Sequence, residues 1–407
     1  MRKVIVALVT CVAALAGMGL IFVASASSER AMQNYGDAQY FLKRQLIWMA
    51  ISLALGFAAA RFDYHHWDKN RWLWLAVLIV IIGGLLAVFV PGIGIRSHGS
   101  SRWIGHGALR FQPSELAKLA TVILMSAWMA HIGWRVRTFR KGFLIPVGVL
   151  AACLGLLLKE PDFGATLVTA MVGVGIMFVA GVRWVYVIGA GFLGSLGFLI
   201  MILHDQVRSE RVMVYAIQAF GKTSLLTEQF AALLGKSVDQ VLQDVEKSNR
   251  GHQPEQSRMA FINGGEWGVG LNNSMQKHYY LPEAHTDYIY AIVGEEWGLP
   301  ATMGILLAFG GILVCGLLIA ARAPDRLGRL IAFGLTLLLV FQALFNIGVV
   351  TDMLPSKGLA LPFISYGGSN LITAFVAIGI LINIGLHIEE PDEHVRAQLY
   401  DGDLQES

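Results

Sequence analysis

The sequence predicts an all-α polytopic membrane protein, a bundle of about ten transmembrane helices with one large extracytoplasmic loop between helices 7 and 8. Three observations predict it. Apolar residues make up 55% of the 407-residue chain and charged residues only 14%, with a mean hydropathy of +0.59. That balance is too apolar for a soluble globule of this length. Apolar runs close to the ~20 residues that span a bilayer recur along the chain. The remaining polar and ionisable residues are gathered into a few islands between those runs.

On that ruler the helices fall near 4–25, 45–61, 72–90, 115–133, 143–158, 164–182, 184–203, 287–321, 328–350 and 367–388. The fifth is short, and the eighth opens with a polar turn. The first starts with Arg2 and Lys3 and ends near an Ala-Ser-Ala tripeptide, as a secretory signal does. Its apolar core exceeds the roughly 7–15 residues of a cleaved segment, so it is read as a retained helix. With both termini cytoplasmic, the inner side carries Arg2, Lys3, Arg61, Lys69, Arg71, Arg135, Arg137, Arg140, Lys141, Arg183, Arg322, Arg326, Arg329 and Arg396. The short outer loops carry fewer: Arg30, Lys43, Arg44, Arg96, Arg102, Arg110, Lys159 and Lys357. This moderate positive-inside bias sends the islands at 91–114, 159–163, 204–286 and 351–366 outward. The membrane domain is then 1–388, followed by a short acidic cytoplasmic tail at 389–407.

Within the 204–286 loop, Leu225, Leu226, Phe230, Leu233 and Leu234 recur at helical spacing before Gly235, a C-cap candidate. Ser237 and Gln240 form a capping-box start for a second short helix. These helices either lie on the membrane surface or fold over the bundle mouth. Gly221-Lys222-Thr223 is no nucleotide loop, because Ala216 stands where the motif needs glycine. Cys11, Cys153 and Cys315 each lie inside a predicted helix, without metal-ligand spacing or a disulfide framework. No basic run points to nucleic acid.

The first polar island, Asn273 to Gly298, reads NSMQKHYYLPEAHTDYIYAIVGEEWG. Lys277, Glu283, His285 and Asp287 gather where the loop meets a membrane helix. Ionisable groups near lipid are costly unless paired or used on a substrate. An N-capped helix behind a solvated loop accounts for any one of them alone. Glu295 and Glu296 follow two turns on, with Arg329 and Asn346 in the next helix, and at least one of these carboxylates is expected to face the bundle interior.

The second island is GSSRWIGHGALRFQPSELAKLA, from Gly99 to Ala120. Arg102, Trp103 and Arg110 are placed in a loop, and Ser114 can cap the helix that Pro113 introduces. Glu115 and Lys118 share a helix face. They are either a self-neutralising pair or, with Arg110, part of a cationic group suited to a diphosphate. Trp103 is either an interfacial anchor or a platform for a sugar face.

In the third, DMLPSKGLALPFISYGGSN from Asp352 to Asn370, Pro355, Pro362 and Gly367-Gly368 forbid a regular helix. Such backbone at membrane depth must be buried in protein or line a polar cavity. Lys357 is therefore expected to point into a cavity, a plain outer turn being the other reading, and Ser365 and Tyr366 belong to the same segment. The fourth, KEPDFGA at 159–165, holds Asp162, either a helix N-cap or a site residue.

Together the islands resemble the SEDS family (shape, elongation, division and sporulation), multi-pass peptidoglycan polymerases that include FtsW, RodA and SpoVE. The resemblance covers about residues 5–388 and rests on RWIGHGALRFQPSELAK, GLNNSMQKHYYLPEAHTDYIYAIVGEEWG and LPSKGLALPFISYGGSN. Pro355 to Leu359 looks most like the division branch. The resemblance implies glycosyl transfer at the outer face of the bacterial cytoplasmic membrane, with lipid II polymerised into a β-1,4-linked glycan strand and undecaprenyl diphosphate released. It also implies an FtsI-like class B penicillin-binding protein as partner, other membrane proteins of the division machinery, and a place at the septum. In the family the Asp of His-Thr-Asp, here Asp287, is required for polymerisation. Trp103, Arg110, Lys118 and Lys357 match functionally sensitive positions. Two departures are Tyr279, where division-type members often carry an acid, and a helical insertion at about 221–250 that follows Val214-Tyr215-Ala216-Ile217.

The expected site therefore has Asp287 as catalytic base. Arg102, Trp103, Arg110, Glu115, Lys118, Asp162, Lys277, Glu283, His285, Lys357, Ser365 and Tyr366 form the substrate-binding set. The helix N-terminus and Lys277 favour a charged Asp287, while burial beside Tyr288 and Tyr290 opposes it. Arg110, Lys118 and Lys357 can take up charge on a leaving diphosphate. A divalent cation (Mg2+ or Mn2+) can share that task, although no dedicated cage is visible. A transporter that flips the same lipid is the chief alternative, and a non-enzymatic scaffold is a third.

Overall fold

In a computed structural model of the protein, the described residues are 1–97, 100–106, 109–160, 162–204, parts of 209–240, 252–277, 281, 284–355 and 358–388. Helices stand at all ten predicted spans: α1 (Arg2–Tyr35), α2 (Tyr40–Arg61), α4 (Arg71–Ala87), α5 (Pro113–Ile132), α6 (Ile145–Lys159), α7 (Phe163–Val179), α8 (Trp184–His204), α11 (Ile289–Arg322), α12 (Arg326–Val350) and α13 (Gly368–Leu386). Among the described residues, seven of these segments are long and apolar enough to cross a bilayer, counting a 3-10 turn after α5 and a π turn before α6; α4, α7 and the Trp184–Gly197 part of α8 are shorter apolar stretches. The protein is a polytopic α-helical membrane protein. Short helices α3 (His66–Lys69), α9 (Leu225–Leu233) and α10 (His252–Gly264) lie between them.

The centre of the bundle is α12, α13 and α5. Their buried faces include Val122, Met125, Leu335, Leu339, Ala343, Leu371, Ala374 and Leu381. Helix α1 extends well past the apolar run that predicts it. Its last turns bury Ser25, Ala26, Ser27 and Ala31, so tertiary packing rather than hydropathy carries the helix on.

Three features depart from the sequence reading. The 91–111 island is not a loop but a three-stranded antiparallel sheet in the order β1 (Gly94–Ser97), β2 (Ser100–His106), β3 (Leu109–Phe111). Trp103 pairs with Ile95 and Gly105 with Arg110. Cross-strand partners and residues two apart on a strand share a face, so Trp103 and Arg110 lie on one side, while the register with β1 shifts at Arg102, between Ser101 opposite Arg96 and Trp103 opposite Ile95. Helix α10 has no apolar stripe to announce it. It buries Ser257, Ala260 and Gly264, small residues that permit close approach, and a Cβ at 264 would collide with the Gly294 carbonyl of α11.

Third, α11 breaks at Gly298 (φ 66°, ψ −155°), just before Pro300. A left-handed residue so close to the Glu266 carbonyl has to be glycine. The opened turn is satisfied from outside: the Val269 and Gly270 amides donate to the Glu295 and Glu296 carbonyls, both at 2.9 Å, and the Leu299 amide donates to the Glu266 carbonyl at 3.0 Å. Irregular backbone in a membrane bundle survives only with such partners.

In the large loop, the predicted capping box is present. The Ser237 amide donates to Gln240 Oε1 (2.9 Å) and the Gln240 amide to Ser237 Oγ (3.2 Å). Gly235, residues 241–250 and the tail 389–407 lie outside the described residues. The loop docks on the bundle through Tyr215 Oη, which donates to the Met353 carbonyl (2.9 Å), and Ser257 Oγ, which donates to the Val350 carbonyl (2.6 Å). The described parts of all four islands collect at one end of the bundle. At the other end Ile5 packs on Gly385, so α1 begins where α13 finishes.

Candidate active site

Asp287 lies in the turn 284–288 that leads into α11. Three successive carbonyls fix that turn. His285 accepts from the Tyr366 amide (3.0 Å), Thr286 from Ser365 Oγ (2.6 Å) and Asp287 from Asn346 Nδ2 (2.8 Å). The Asp287 carboxylate abuts Gly358, where a Cβ would collide with Oδ2. The third island therefore wraps the carboxylate, and its bare glycine permits the contact. That island is buried in protein, as its prolines require: Leu359, Leu361, Phe363, Ile364 and Ser365 are buried, and Phe363 takes a left-handed φ of 67°. An aromatic residue in that region is strained, and such strain collects at functional sites. Glu283 and Lys357 lie outside the described residues.

A second tier holds this loop from below. Gln342 and Asn346, one turn apart on α12, hold the carbonyls of Ala360 (3.0 Å) and Leu359 (2.5 Å). Gln342 Nε2 also donates to Asn370 Oδ1 (2.7 Å), and Gln342 Oε1 accepts from Lys118 Nζ (2.6 Å). Lys118 is paired with Glu115 at 2.8 Å, and both are buried. The self-neutralising pair is therefore present, and Lys118 reaches the Asp287 region through Gln342.

The third wall is the sheet with the 160–162 turn. Asp162 Oδ1 accepts from the Ala165 amide (3.1 Å), so the N-cap reading holds. Its Oδ2 accepts from Gln112 Nε2 (3.0 Å) and Ser114 Oγ (3.2 Å). Ser114 does not cap α5. Pro113 occupies the first turn, the N-cap position moves back to Gln112, and the Ser114 hydroxyl is left for Asp162. Arg102 Nε donates to the Glu160 carbonyl (3.2 Å). The Glu160 side chain is fully buried, and neither carboxyl oxygen has a protein hydrogen-bond partner among the described residues. Burial first, then the neighbouring Asp162, push this carboxyl up to about 8, with Arg102 opposing. Glu160 lies just past the span that ends at Lys159.

His285 is buried against Phe41 and Tyr366, with ring centroids 4.7 and 5.7 Å away. Burial raises the Tyr366 hydroxyl above its usual range, while the cations of Arg44 and Arg110 draw it down. Exposed Arg110 thus joins the Tyr366 side of the site. Arg44, on α2, was missed by sequence reasoning, which counted it only as an outer-loop charge; its Nη1 donates to Tyr40 Oη (2.9 Å). Gln342 was missed too, although a Gln-x-x-x-Asn pair in an otherwise apolar helix was a usable signal.

Lys277 is placed elsewhere. Its ammonium donates to the Asn272 carbonyl (2.7 Å) and Oδ1 (2.6 Å), and sits 3.4 Å from Glu296 Oε1, which also accepts from Ser25 Oγ (2.5 Å). Glu296 lies seven residues past the start of α11, about 10 Å along the helix from the turn that carries Asp287. Glu295 accepts from Ser274 Oγ and from the Met275 (3.1 Å) and Gln276 (3.2 Å) amides. Both glutamates face the interior, as expected of at least one, and both brace the 265–277 segment. Arg329 belongs to the far end of α12, ~25 Å from Asn346 at 1.5 Å per residue. Among the described residues, the group of three ligating side chains close enough to share a cation also lies at that far end.

A family model described as cell cycle protein, covering FtsW, RodA and SpoVE, matches residues 6–390. The chain belongs to the FtsW/RodA/SpoVE family. It is 38% identical over 377 residues to a probable peptidoglycan glycosyltransferase FtsW of Trichlorobacter lovleyi, covering 93% of this chain and 92% of that one. It is 36% identical to the stage V sporulation protein E of Bacillus subtilis, over 90% of this chain and 93% of that one. Among solved structures, the fold is shared with a chain of a peptidoglycan synthase complex that coordinates polymerisation and crosslinking (TM-score 0.65, 24% identity, 94% of this chain and 98% of that one). It is also shared with the rod shape determining protein RodA of Thermus thermophilus (TM-score 0.62, 22% identity, 94% of this chain and 97% of that one). The family match thus spans every element of the site, from the sheet to the Asp287 turn and the buried third island.

Proposed function

We propose that the protein is a peptidoglycan glycosyltransferase of cell division, which polymerises lipid II at the outer face of the bacterial cytoplasmic membrane. The reading is carried by the carboxylate of Asp287, held on a turn fixed at three consecutive carbonyls and seated against Gly358. As the acceptor hydroxyl attacks the anomeric carbon of the donor, Asp287 takes its proton. The α-bond to diphosphate breaks as the β-1,4 bond forms, a single displacement with inversion, and undecaprenyl diphosphate leaves. Arg110, with Lys357, receives the growing charge on the diphosphate. Lys118 acts through Gln342 on the loop that carries Gly358, since its own charge is balanced by Glu115.

The polar groups described at the site crowd one end of the bundle, which favours an enzyme over a transporter whose charges must line the whole path. Both termini are cytoplasmic in this reading, the site faces outward at the septum, and a class B penicillin-binding protein binds beside it. The test is a gel assay of glycan products from purified lipid II, with and without that partner. Asp287→Ala is expected to remain folded and to make no polymer; full activity would remove the base assignment.

A further inference from the structure

At the end of the bundle opposite Asp287, three elements converge on a second polar cluster. The turn between α2 and α3 supplies Asp63 and His65, the C-cap of α13 supplies His387, and the N-cap of α12 supplies Asp325. His65 Nδ1 is 2.6 Å from Asp63 Oδ1, and His387 Nε2 is 3.8 Å from the same oxygen. One ligand atom each from Asp63, His65 and His387 lies within 4.8 Å of the others. The 3.8 Å contact is too long for a hydrogen bond. It is close to the spacing of two ligands that share one cation, since bonds of ~2.1 Å at a tetrahedral angle or wider separate donors by about 3.4 Å or more.

The second nitrogen of each imidazole also faces an acceptor. His387 Nδ1 lies 2.8 Å from the Asn383 carbonyl, which can only accept, so Nδ1 carries the proton and Nε2 turns its lone pair toward Asp63. His65 Nε2 faces Asp325 Oδ2 at 3.9 Å. Asp325 is itself held by Tyr64 Oη (2.6 Å), and Asn383 Oδ1 accepts from the Tyr64 amide (3.1 Å). A hydrogen-bonded acceptor behind a ligating histidine, as Asn383 is behind His387, sets tautomer and ring direction in metal sites, and Asp325 places a negative charge behind His65 at a longer distance. The three side chains are between 33% and 38% exposed, so an aqueous ion can reach them.

We propose that Asp63, His65 and His387 bind one divalent transition-metal ion, with Zn2+ the best chemical match. Two imidazoles and one carboxylate suit zinc, whereas magnesium and calcium select oxygen-rich sites. Asp63 Oδ1, His65 Nδ1 and His387 Nε2 are the ligands, and water completes the shell. On binding, the 2.6 Å Asp63–His65 separation opens by about 0.8 Å, and the Nδ1 proton passes to solvent while His65 stays a neutral imidazole with its one proton on Nε2, facing Asp325. Asp325 and the Asn383 carbonyl stay as supports of the two rings. The ion then ties the α2–α3 turn to the end of α13, beside the start of α12.

The test uses the full chain without a histidine tag, stripped with chelator and held in lipid nanodiscs. Zinc titration is read by metal analysis after dialysis and by the unfolding temperature. One zinc per chain is expected, with a rise in unfolding temperature that Mg2+ does not reproduce. His387→Ala, at a half-exposed helix end, should unfold at the wild-type temperature without zinc yet lose the zinc-dependent rise. Asp325→Asn should weaken binding by about 10-fold, as removal of a ring-supporting carboxylate does. Wild-type protein that retains no zinc overturns the proposal. So does zinc uptake that His387→Ala and His65→Gln both leave unchanged, because the ion would then sit elsewhere.

Discussion

Replacing Gly358 with Ala tests whether the placement of Asp287 matters apart from its presence. A Cβ at 358 would overlap Asp287 Oδ2 and lie 3.3 Å from Cγ. Gly358 does not occupy the left-handed region, so alanine adds no backbone strain, and the chain entropy it removes from the unfolded state favours folding by up to about 1 kcal/mol. The colliding atom is the tip of a side chain, which can swing away. Restoring ordinary contact moves the carboxylate by roughly 1 Å, and a displacement of that size at a reacting group costs about 100-fold in rate. Gly358→Ala should therefore keep the wild-type unfolding temperature while its lipid II polymerisation, followed by gel, falls about 100-fold. Asp287→Asn is the reference for complete loss. A folded Gly358→Ala protein that polymerises at the wild-type rate would refute the claim that this contact positions the base.

Two further outcomes follow from buried ionisable groups. Lys118→Met leaves Glu115 charged and buried without its partner, a change that costs about 3–5 kcal/mol; adding Glu115→Gln should restore most of that loss in thermal unfolding, and equal stability of the single and double variants would rule the pair out as a buried charge balance. Folded Glu160 holds its proton more tightly than the unfolded chain, so the stability it contributes is full below the ordinary carboxyl value of 4.5 and is lost as pH rises through about 8. Wild-type unfolding temperature should accordingly fall relative to Glu160→Gln as pH rises from 4.5 to about 8 and then level off, whereas parallel profiles would mean that Glu160 does not titrate there.

What was legible in the sequence is what depends on neighbours within a turn or two. Ten apolar runs announce ten helices because burial in lipid demands about 20 apolar residues in succession. The Asp162 cap and the Ser237–Gln240 box were readable because each is closed by an amide three residues away. The prolines and glycines of 355–368 announced an irregular segment that had to be buried.

Only the tertiary structure decided which polar groups serve which. Lys277 and Asp287 lie in one motif, yet Lys277 answers to Glu296 and Ser25, the latter 252 positions away. Lys118 reaches the third island through Gln342, 224 positions away. The sheet and α10 were invisible for a related reason: short strands and a face of small residues gain their stability from what they pack against. By itself, then, the sequence determined the class, the spans and the islands, because solvation acts residue by residue. The structure decided the pairings, because a buried charge takes whichever partner the fold brings within hydrogen-bond reach.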